Sequence, residues 1–213
     1  MKVFLFVLAA VTAYLVGSVN PAIILSRSIY RTDVRRFGSR NPGFTNFQRV
    51  FGSGHAWSVF VLDCAKSALL CLVFCPLFRN ACGMYHLGAA YTSLFALLGH
   101  AYPLWHGFRG GKGVSVMFAA VWFIDWRAGI VIVVVFLALM FATRYMSLSV
   151  LCAAATAPIT LAVAGTEHIA VWILTTVSVL FMIWRHRENL RRLRDGTESK
   201  FSFRRSTPPP TDG

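Results

Sequence analysis

Long apolar runs, separated by short polar segments, make up most of this chain. Seven runs can be distinguished, at residues 3–16, 54–78, 83–99, 114–124, 128–142, 148–164 and 169–184. A helix that crosses the hydrocarbon core of a bilayer needs about 20 residues, and several runs approach that length. The pattern predicts an all-α polytopic membrane protein with seven transmembrane helices. Residues 1–205 are expected to form a single integral-membrane domain, and the Pro-rich end, 206–213, is expected to be disordered.

Two places in this pattern allow a second interpretation. Lys2 and the first apolar run look like a signal peptide, but a clear small-x-small cleavage site is missing, which favours a retained first span. The fourth and fifth runs are short and could form one tilted span across 114–142. That span would bury Asp125 and Arg127 at ~2.5–3.5 kcal/mol each on the insertion scale, so two separate helices are preferred.

Positive charge is concentrated on one side of the predicted topology. The formal net charge is +13. With seven spans, 17 of the 21 Lys and Arg residues share a side, in segments 27–49, 100–113, 143–147 and 185–205. Basic residues accumulate in cytoplasmic loops, so the N-terminus is predicted to lie outside and the C-terminus in the cytoplasm. The scattering of these residues over short loops argues against nucleic acid as a partner.

Some charges have local interpretations. Segment 27–37 alternates basic and apolar residues at helical spacing, which predicts an interfacial amphipathic helix on an anionic membrane surface, and 185–194 repeats the theme. Lys66 stands in the middle of a span. Asp63 lies three residues earlier on the same helix face, so a structural ion pair is favoured over a functional charge.

The stretch Gly99–Val114, GHAYPLWHGFRGGKGV, is polar although apolar runs flank it. Gly110, Gly111 and Gly113 surround Lys112. Glycines allow close approach of a ligand, successive N–H groups form an anion-binding nest, and the helix that follows adds the positive end of its dipole. The nucleotide P-loop pattern is not met, because Gly rather than Ser or Thr follows the Lys. The stretch therefore predicts a site for the phosphate of a small molecule.

Other polar side chains are predicted on the same side of the membrane. Segment 38–49, GSRNPGFTNFQR, is rich in groups that form hydrogen bonds in turns. Residues three apart share a helix face, which pairs two further sets of polar side chains. The candidates are Ser39, Asn41, Thr45, Asn46 and Arg49 in segment 38–49, His100 in the glycine stretch, Arg144 with Ser147, and His186 with Asn189.

Segments 38–49, 99–114, 143–148 and 185–198 resemble the motifs of the PlsY family, the bacterial acyl-phosphate:glycerol-3-phosphate acyltransferases. Their order and spacing match, as does the GSxxP of Gly17–Pro21. The resemblance implies a seven-helix protein of the bacterial inner membrane with its active site facing the cytoplasm. It also implies synthesis of lysophosphatidic acid from acyl phosphate and glycerol 3-phosphate, without metal or cofactor. Membrane lipids are the expected surroundings, and no obligatory protein partner is evident.

The resemblance assigns roles to particular residues. The positions regarded as catalytic in the family are Ser39, Arg49, Lys112, Ser147, His186 and Asn189, and the glycine loop is regarded as a phosphate binder. The Glu that matches Glu198 is regarded as structural. The sequence departs from the family at Arg40, where Gly is usual, at Phe44, where Ala is usual, and at Arg109, where Lys is usual.

The chemistry of two phosphorylated substrates agrees with the residues. An acyl phosphate is already activated, so positioning and neutralisation of the leaving phosphate suffice. His186 is a candidate base for the hydroxyl proton, and a donor phosphate oxygen is the alternative. A transporter of an organic phosphate is the competing class. It predicts an internal repeat and polar sites at mid-membrane, whereas the polar clusters lie at one face and no repeat is visible.

Overall fold

The computed structural model describes residues 2–165 and 168–202, so the predicted disordered end, 206–213, lies outside the described residues. These residues form ten α-helices and two 3₁₀ turns, at Val34–Arg36 and Leu104–His106. The helices are α1 (Lys2–Gly17), α2 (Pro21–Ile29), α3 (Phe44–Phe51), α4 (Ser53–Cys82), α5 (Tyr85–Ala101), α6 (Val114–Ile124), α7 (Trp126–Thr143), α8 (Met146–Ala164), α9 (Ile169–Arg185) and α10 (Arg187–Arg194).

Each of the seven apolar runs is helical, and the predicted division of 114–142 into two helices is confirmed. Asp125 ends α6 and caps α7, because its carboxylate accepts hydrogen bonds from the backbone N–H groups of Arg127 at 2.8 Å and Ala128 at 3.4 Å. The same carboxylate forms an ion pair with the Arg127 side chain at 2.7 Å. The two charges therefore satisfy each other at a helix junction.

Fewer helices than seven are long enough to cross a bilayer by themselves. Within the described residues, four stretches pass by length and composition: Lys2–Ile29, Ser53–Cys82, Trp126–Thr143 and Met146–Ala164. A fifth passes if α9 and α10, which meet at a bend of 56°, are taken together. Helix α6 has 11 residues and is shorter than a span. The protein is an integral membrane helical bundle with four to five candidate spans.

Close packing of α1 against α5 forms the centre of the bundle. A Cβ placed on Gly17 would lie 2.3 Å from the carbonyl oxygen of Ala96, and one on Gly99 would lie 2.1 Å from that of Tyr14. Small residues let membrane helices approach to this distance. At the periphery, α7 packs against α8 and fully buries only Ala128 and Gly129, while Val134, Leu137 and Phe141 are exposed, as expected for contact with lipid.

Segment 27–37 is not the continuous amphipathic helix that its spacing predicts. Helix α2 ends at Ile29, and a 3₁₀ turn follows at Val34–Arg36. Asp33 causes the difference, because its carboxylate accepts the backbone N–H of Arg35 at 2.9 Å and pairs with the Arg35 guanidinium at 2.8 Å. Residues 187–194 do form the predicted helix, α10.

The polar segments meet at one end of the bundle. Asn20, in the break between α1 and α2, donates its side-chain N–H to the carbonyl of Pro42 at 3.3 Å. The segment after α10 folds back over this end, where the N–H of Phe201 donates to the carbonyl of Arg144 at 2.7 Å. Gln48 of α3 donates to the carbonyl of Ser202 at 2.8 Å. Loops far apart in sequence thus build one polar surface.

Candidate active site

The glycine loop, residues 107–113, is held against the end of α5 by its own backbone. The N–H of Gly110 donates to the carbonyl of Ala101 at 3.1 Å, and the N–H of Gly111 donates to that of His100 at 3.0 Å. The prediction that these two amides form the anion nest is therefore wrong. Their lack of side chains has another reason, since a Cβ on Gly110 would lie 2.0 Å from the His100 carbonyl oxygen.

Two arginines hold the loop from its carbonyl side. Arg185, the last residue of α9, donates to the carbonyls of Gly110 at 3.1 Å and Gly111 at 3.0 Å. Arg35 donates to the carbonyls of His106 at 2.8 Å and Arg109 at 3.0 Å. The sequence does not predict this role for either residue, because nothing in local spacing shows which carbonyls a distant arginine reaches.

A buried triad of Asp63, Lys66 and His100 lies under the loop. Lys66 Nζ is 2.8 Å from Asp63 Oδ1 and 3.1 Å from His100 Nδ1, which confirms the predicted ion pair and adds a third member. Lys66 also donates to the carbonyls of Gly17 at 3.1 Å and Val19 at 2.7 Å, and so caps the end of α1. The triad ties α1, α4 and α5 together.

His100 was predicted to bind substrate, and its position contradicts that. The residue is 3% exposed. A Cβ on Gly111 would lie 2.2 Å from His100 Nε2, so the ring packs directly against the loop backbone. The imidazole therefore supports the loop from inside the bundle, and its face toward the loop has no space for a ligand.

Lys112 leads from the loop into a second polar group, which we call the Lys112 cluster: Lys112, Ser147, Asn189, Arg192 and Glu198. Lys112 Nζ donates to Asn189 Oδ1. Glu198 Oε1 accepts from Ser147 Oγ at 2.6 Å and from Asn189 Nδ2 at 2.6 Å, while its other oxygen accepts from Arg192 Nε at 2.7 Å. Three residues predicted to be catalytic, from three separate motifs, are thereby joined: Ser147 and Asn189 through the Glu198 carboxylate, and Lys112 through Asn189.

Burial and neighbouring charges in the Lys112 cluster shift the pKa values of Glu198 and Lys112. Burial would raise the pKa of Glu198, but the hydrogen bonds from Ser147, Asn189 and Arg192 outweigh it and hold that pKa below its usual value. Burial lowers the pKa of Lys112 to about 8; the Arg192 charge adds to the shift and Glu198 opposes it. Lys112 is therefore mostly charged at neutral pH, yet close to the point at which it loses its proton.

His186 ends α9 beside the Lys112 cluster, and the residue is 4% exposed. Its Nδ1 lies 2.8 Å from the carbonyl oxygen of Met182. A carbonyl can only accept, so Nδ1 carries the proton and Nε2 is left as an acceptor. Burial lowers the pKa of His186 to about 4; the Lys112 charge reinforces this and the Met182 carbonyl opposes it. The ring is therefore neutral at pH 7, and burial is the larger cause.

Asn46, in segment 38–49, has a different role from the predicted one. Asn46 is 1% exposed and uses its side chain within the protein. Its Oδ1 accepts the N–H of Ser39 at 2.8 Å, and its Nδ2 donates to the carbonyls of Phe37 at 3.1 Å and Val34 at 3.3 Å. Asn46 was predicted to bind substrate, but these contacts make it the residue that shapes the turn carrying Ser39.

The other candidates of segment 38–49 lie at the rim. Ser39 is exposed, and Asn41, Thr45 and Arg49 are half-buried. Among residues 2–165 and 168–202, no hydrogen bond joins Ser39, Asn41 or Thr45 to the Lys112 cluster. Arg144 is also exposed; it ends α7 with a φ of 61° and offers its carbonyl to Phe201. The structure thus groups Lys112, Ser147, His186 and Asn189 more tightly than the rest.

Two cavities adjoin this surface. A polar one of about 750 Å³ lies between the glycine loop and segment 33–42. An apolar groove of about 500 Å³ runs between α1 and α5, from Ala10 to Tyr102. The Arg185 guanidinium, which lines the polar cavity, stacks over the Tyr102 ring at 5.2 Å. Polar and apolar spaces of this kind, side by side, suit a ligand with a charged head and an apolar chain.

Comparison with known proteins gives a consistent picture. The model of the family described as glycerol-3-phosphate acyltransferase matches residues 7–196. A glycerol-3-phosphate acyltransferase of Agrobacterium fabrum is 39% identical over 92% of this chain and 92% of its own. One of Rhodopseudomonas palustris is 38% identical over 92% of this chain and 96% of its own.

Two solved structures have the same fold. One is a crystal structure of PlsY, an integral membrane glycerol 3-phosphate acyltransferase, in its glycerol 3-phosphate form. It superposes with a TM-score of 0.84 at 31% identity, over 92% of this chain and 96% of that one. The lysophosphatidic acid form of PlsY superposes with a TM-score of 0.80 at 30% identity, over 93% of this chain and 96% of that one.

Proposed function

Because this chain belongs to the glycerol-3-phosphate acyltransferase family, we propose that it moves a fatty acyl group from an acyl phosphate to the 1-hydroxyl of glycerol 3-phosphate. The products are lysophosphatidic acid and inorganic phosphate, and the step begins phospholipid synthesis. Acyl transfer to glycerol 3-phosphate is the activity of the family; the acyl-phosphate donor is the finer part of the proposal. The observation that carries it is the Lys112 cluster, in which a charged amine lies beside a neutral imidazole and the Ser147 hydroxyl donates to the Glu198 carboxylate.

The proposed step is a direct transfer. The 1-hydroxyl oxygen of glycerol 3-phosphate attacks the acyl carbon, the bond from that carbon to the phosphate oxygen breaks, and the phosphate leaves with the bonding electron pair. Lys112, positively charged below a pKa of about 8, stabilises the negative charge of the phosphate groups. A phosphate oxygen of the donor takes the proton of the attacking hydroxyl group, while Nε2 of His186 accepts a hydrogen bond from the other hydroxyl group of glycerol 3-phosphate and so positions the substrate.

Phosphate binding falls to groups other than the amides of Gly110 and Gly111. Helix α6 begins at Val114, immediately after Lys112 and Gly113, and the first N–H groups of a helix have no partner within it. We assign glycerol 3-phosphate to this helix start and to Lys112. Ser39 and Arg49 remain proposed as catalytic residues, and Asn41, Thr45 and Arg144 remain proposed as substrate-binding residues at the rim of the site.

The topology proposed here has seven spans, with the N-terminus outside and the site facing the cytoplasm of the bacterial inner membrane. The support is the concentration of polar loops at one end of the bundle, on the side that carries 17 of the 21 Lys and Arg residues. The same placement argues against an organic-phosphate transporter, whose site is expected near mid-membrane.

The experiment that tests the donor uses purified protein with glycerol 3-phosphate and either palmitoyl phosphate or palmitoyl-CoA. We expect lysophosphatidic acid to form from palmitoyl phosphate, with at least about a hundredfold lower rate from palmitoyl-CoA, since phosphate is the group that Lys112 neutralises. Equal or higher rates from the CoA ester would contradict the proposed donor while leaving the family activity in place.

A further inference from the structure

The polar cavity beside the glycine loop is lined by five arginines but not by Lys112. They are Arg35, Arg36, Arg40, Arg109 and Arg185, and the one carboxylate in the wall is Asp33. We refer to this space as the arginine cavity. Its volume of about 750 Å³ is that of a small-molecule site.

The positive charge of this cavity is largely unpaired. Asp33 is already shared between Arg27 at 2.9 Å and Arg35 at 2.8 Å. Among the described residues, no carboxylate lies within ion-pair distance of the other four arginines of the wall. Like charges gathered around one space repel each other, and an anion in that space removes the repulsion.

Two polar atoms of the wall lack a hydrogen-bond partner. Nε of Arg185 and Nδ1 of His106 are both buried and unpaired within the described part of the chain. Arg185 uses its Nη2 for the carbonyls of Gly110 and Gly111, so Nε–H is the donor it leaves over. Buried polar groups without a partner are uncommon and indicate a missing ligand or water.

Arg40 reaches the cavity from a costly backbone conformation. Its φ is +59°, in the left-handed region that glycine adopts freely and that a long side chain adopts at a cost. Backbone strain of this kind concentrates at functional sites. A glycine would fit this turn better, so the chain retains a cation here at the expense of local stability.

We propose that the arginine cavity is a second phosphate site, which binds a terminal phosphate group apart from the Lys112 cluster. Planar guanidinium groups match phosphate oxygens in pairs, which favours phosphate over a halide. This phosphate group has two sources: a single-chain lipid such as acyl phosphate or lysophosphatidic acid, or free inorganic phosphate. The α1–α5 groove, which meets the cavity at the Arg185–Tyr102 contact, offers the lipid form a place for its chain.

The test measures binding rather than catalysis, so it is independent of the proposed reaction. Lys112→Ala serves as the background, because it removes the lysine to which glycerol 3-phosphate is assigned above. Inorganic phosphate is titrated into this variant in detergent, followed by micelles containing lysophosphatidic acid, with lysophosphatidylcholine micelles as control. We expect saturable phosphate binding that Arg40→Gly weakens roughly tenfold, the loss of one charged contact.

Arg31→Gly is the matched control. Arg31 also has a left-handed backbone, with φ +52°, and is exposed, but it does not line the cavity. It changes charge and backbone strain equally, and we expect less than about a twofold effect on binding. Tighter binding of lysophosphatidic acid than of phosphate assigns the site to a lipid, and equal binding assigns it to the free ion.

The proposal is overturned if Lys112→Ala binds neither probe, or if Arg40→Gly and Arg31→Gly weaken binding equally. Since glycine relieves strain at residue 40, loss of binding in Arg40→Gly is not expected to come from unfolding, and an unchanged melting temperature verifies this. Failure of the acyl-transfer assay would leave these binding results unaffected.

Discussion

Two clusters in this molecule use the same residue types, a lysine, a histidine and a carboxylate, for different purposes. In the buried triad, the lysine donates to two backbone carbonyls and to Asp63, and the histidine is packed against the glycine loop. In the Lys112 cluster, Lys112 donates to the Asn189 side chain and Glu198 accepts from Ser147. The neighbouring His186 uses Nδ1 for a backbone carbonyl and keeps Nε2 as an acceptor. Residue type therefore does not determine the role; the number of hydrogen-bonding groups left over for a ligand does.

The comparison predicts that loss of Lys112 abolishes turnover without unfolding the protein. Lys112→Ala removes the charge that stabilises the leaving phosphate, and kcat is expected to fall about 10³-fold. Steady-state kinetics with a melting curve in detergent check this. Lys200→Ala, which removes an exposed lysine that stacks on Tyr145, is the control and should retain its activity. Near-normal turnover of Lys112→Ala would contradict the role of the cluster.

Loss of Lys66 is expected to have the opposite effect: the protein loses stability, while its turnover stays nearly unchanged. Lys66→Met leaves Asp63 as a buried charge without its partner and removes the cap of α1, which should cost about 3–5 kcal/mol of stability. The expected readout is a large fall in the denaturation midpoint, while kcat per folded molecule stays within about threefold of the wild type. A stable Lys66→Met enzyme with a kcat reduced like that of Lys112→Ala would show that the two clusters are not distinct.

A smaller effect on activity is expected for a substitution in the glycine loop where it contacts His100 of the buried triad. Gly111→Ala places a Cβ 2.2 Å from the His100 ring, so the loop must shift and the KM for glycerol 3-phosphate should rise about tenfold, more than that for the donor. Removing the ring in His100→Ala should relieve this effect.

Gly110→Ala is the matched control for that rescue. Its Cβ would meet the backbone carbonyl of His100 at 2.0 Å, which the His100→Ala substitution does not remove. Double-mutant cycles for both pairs measure the difference. Equal relief in the two pairs, or equal changes in both Michaelis constants, would mean that the ring does not position the loop.

The smallest effect is expected for His186→Gln. If His186 only positions the substrate through its other hydroxyl group, glutamine can keep that hydrogen bond, and kcat should fall less than tenfold. General-base loss would cost about 10²–10⁴-fold. His186→Ala, which keeps no hydrogen bond, should be slower than His186→Gln. A thousandfold loss in His186→Gln with unchanged Michaelis constants would identify His186 as the base.

The sequence predicts where the helices lie and which motifs meet at the site. It does not predict the hydrogen-bond partners of the glycine loop. Hydrophobic runs located every long helix, and the charged pair at Asp125 and Arg127 located the division between α6 and α7. These features depend on neighbours in the chain. The partners of the Gly110 and Gly111 amides, by contrast, lie about ten residues away, and the partners of the loop carbonyls lie on other elements.

The same limit explains the two reassigned residues. His100 and Asn46 have side chains suited to bind a substrate, but both are buried and use their polar atoms within the protein. Burial depends on which helices pack together, and the residue pattern of one segment does not contain that information.

The most direct test of the account is the pH dependence of kcat/KM for glycerol 3-phosphate. Lys112 has a pKa lowered to about 8 and acts as a cation, so it is competent below that pH and loses its charge above it. We expect kcat/KM to be nearly constant below about pH 7, to reach about half of that value near pH 8, and to fall by close to tenfold per pH unit above about pH 9. His186, with a pKa of about 4, should add no acidic limb above pH 5.5. A profile that stays flat to about pH 10, the range of an unperturbed lysine, would contradict the central role of Lys112.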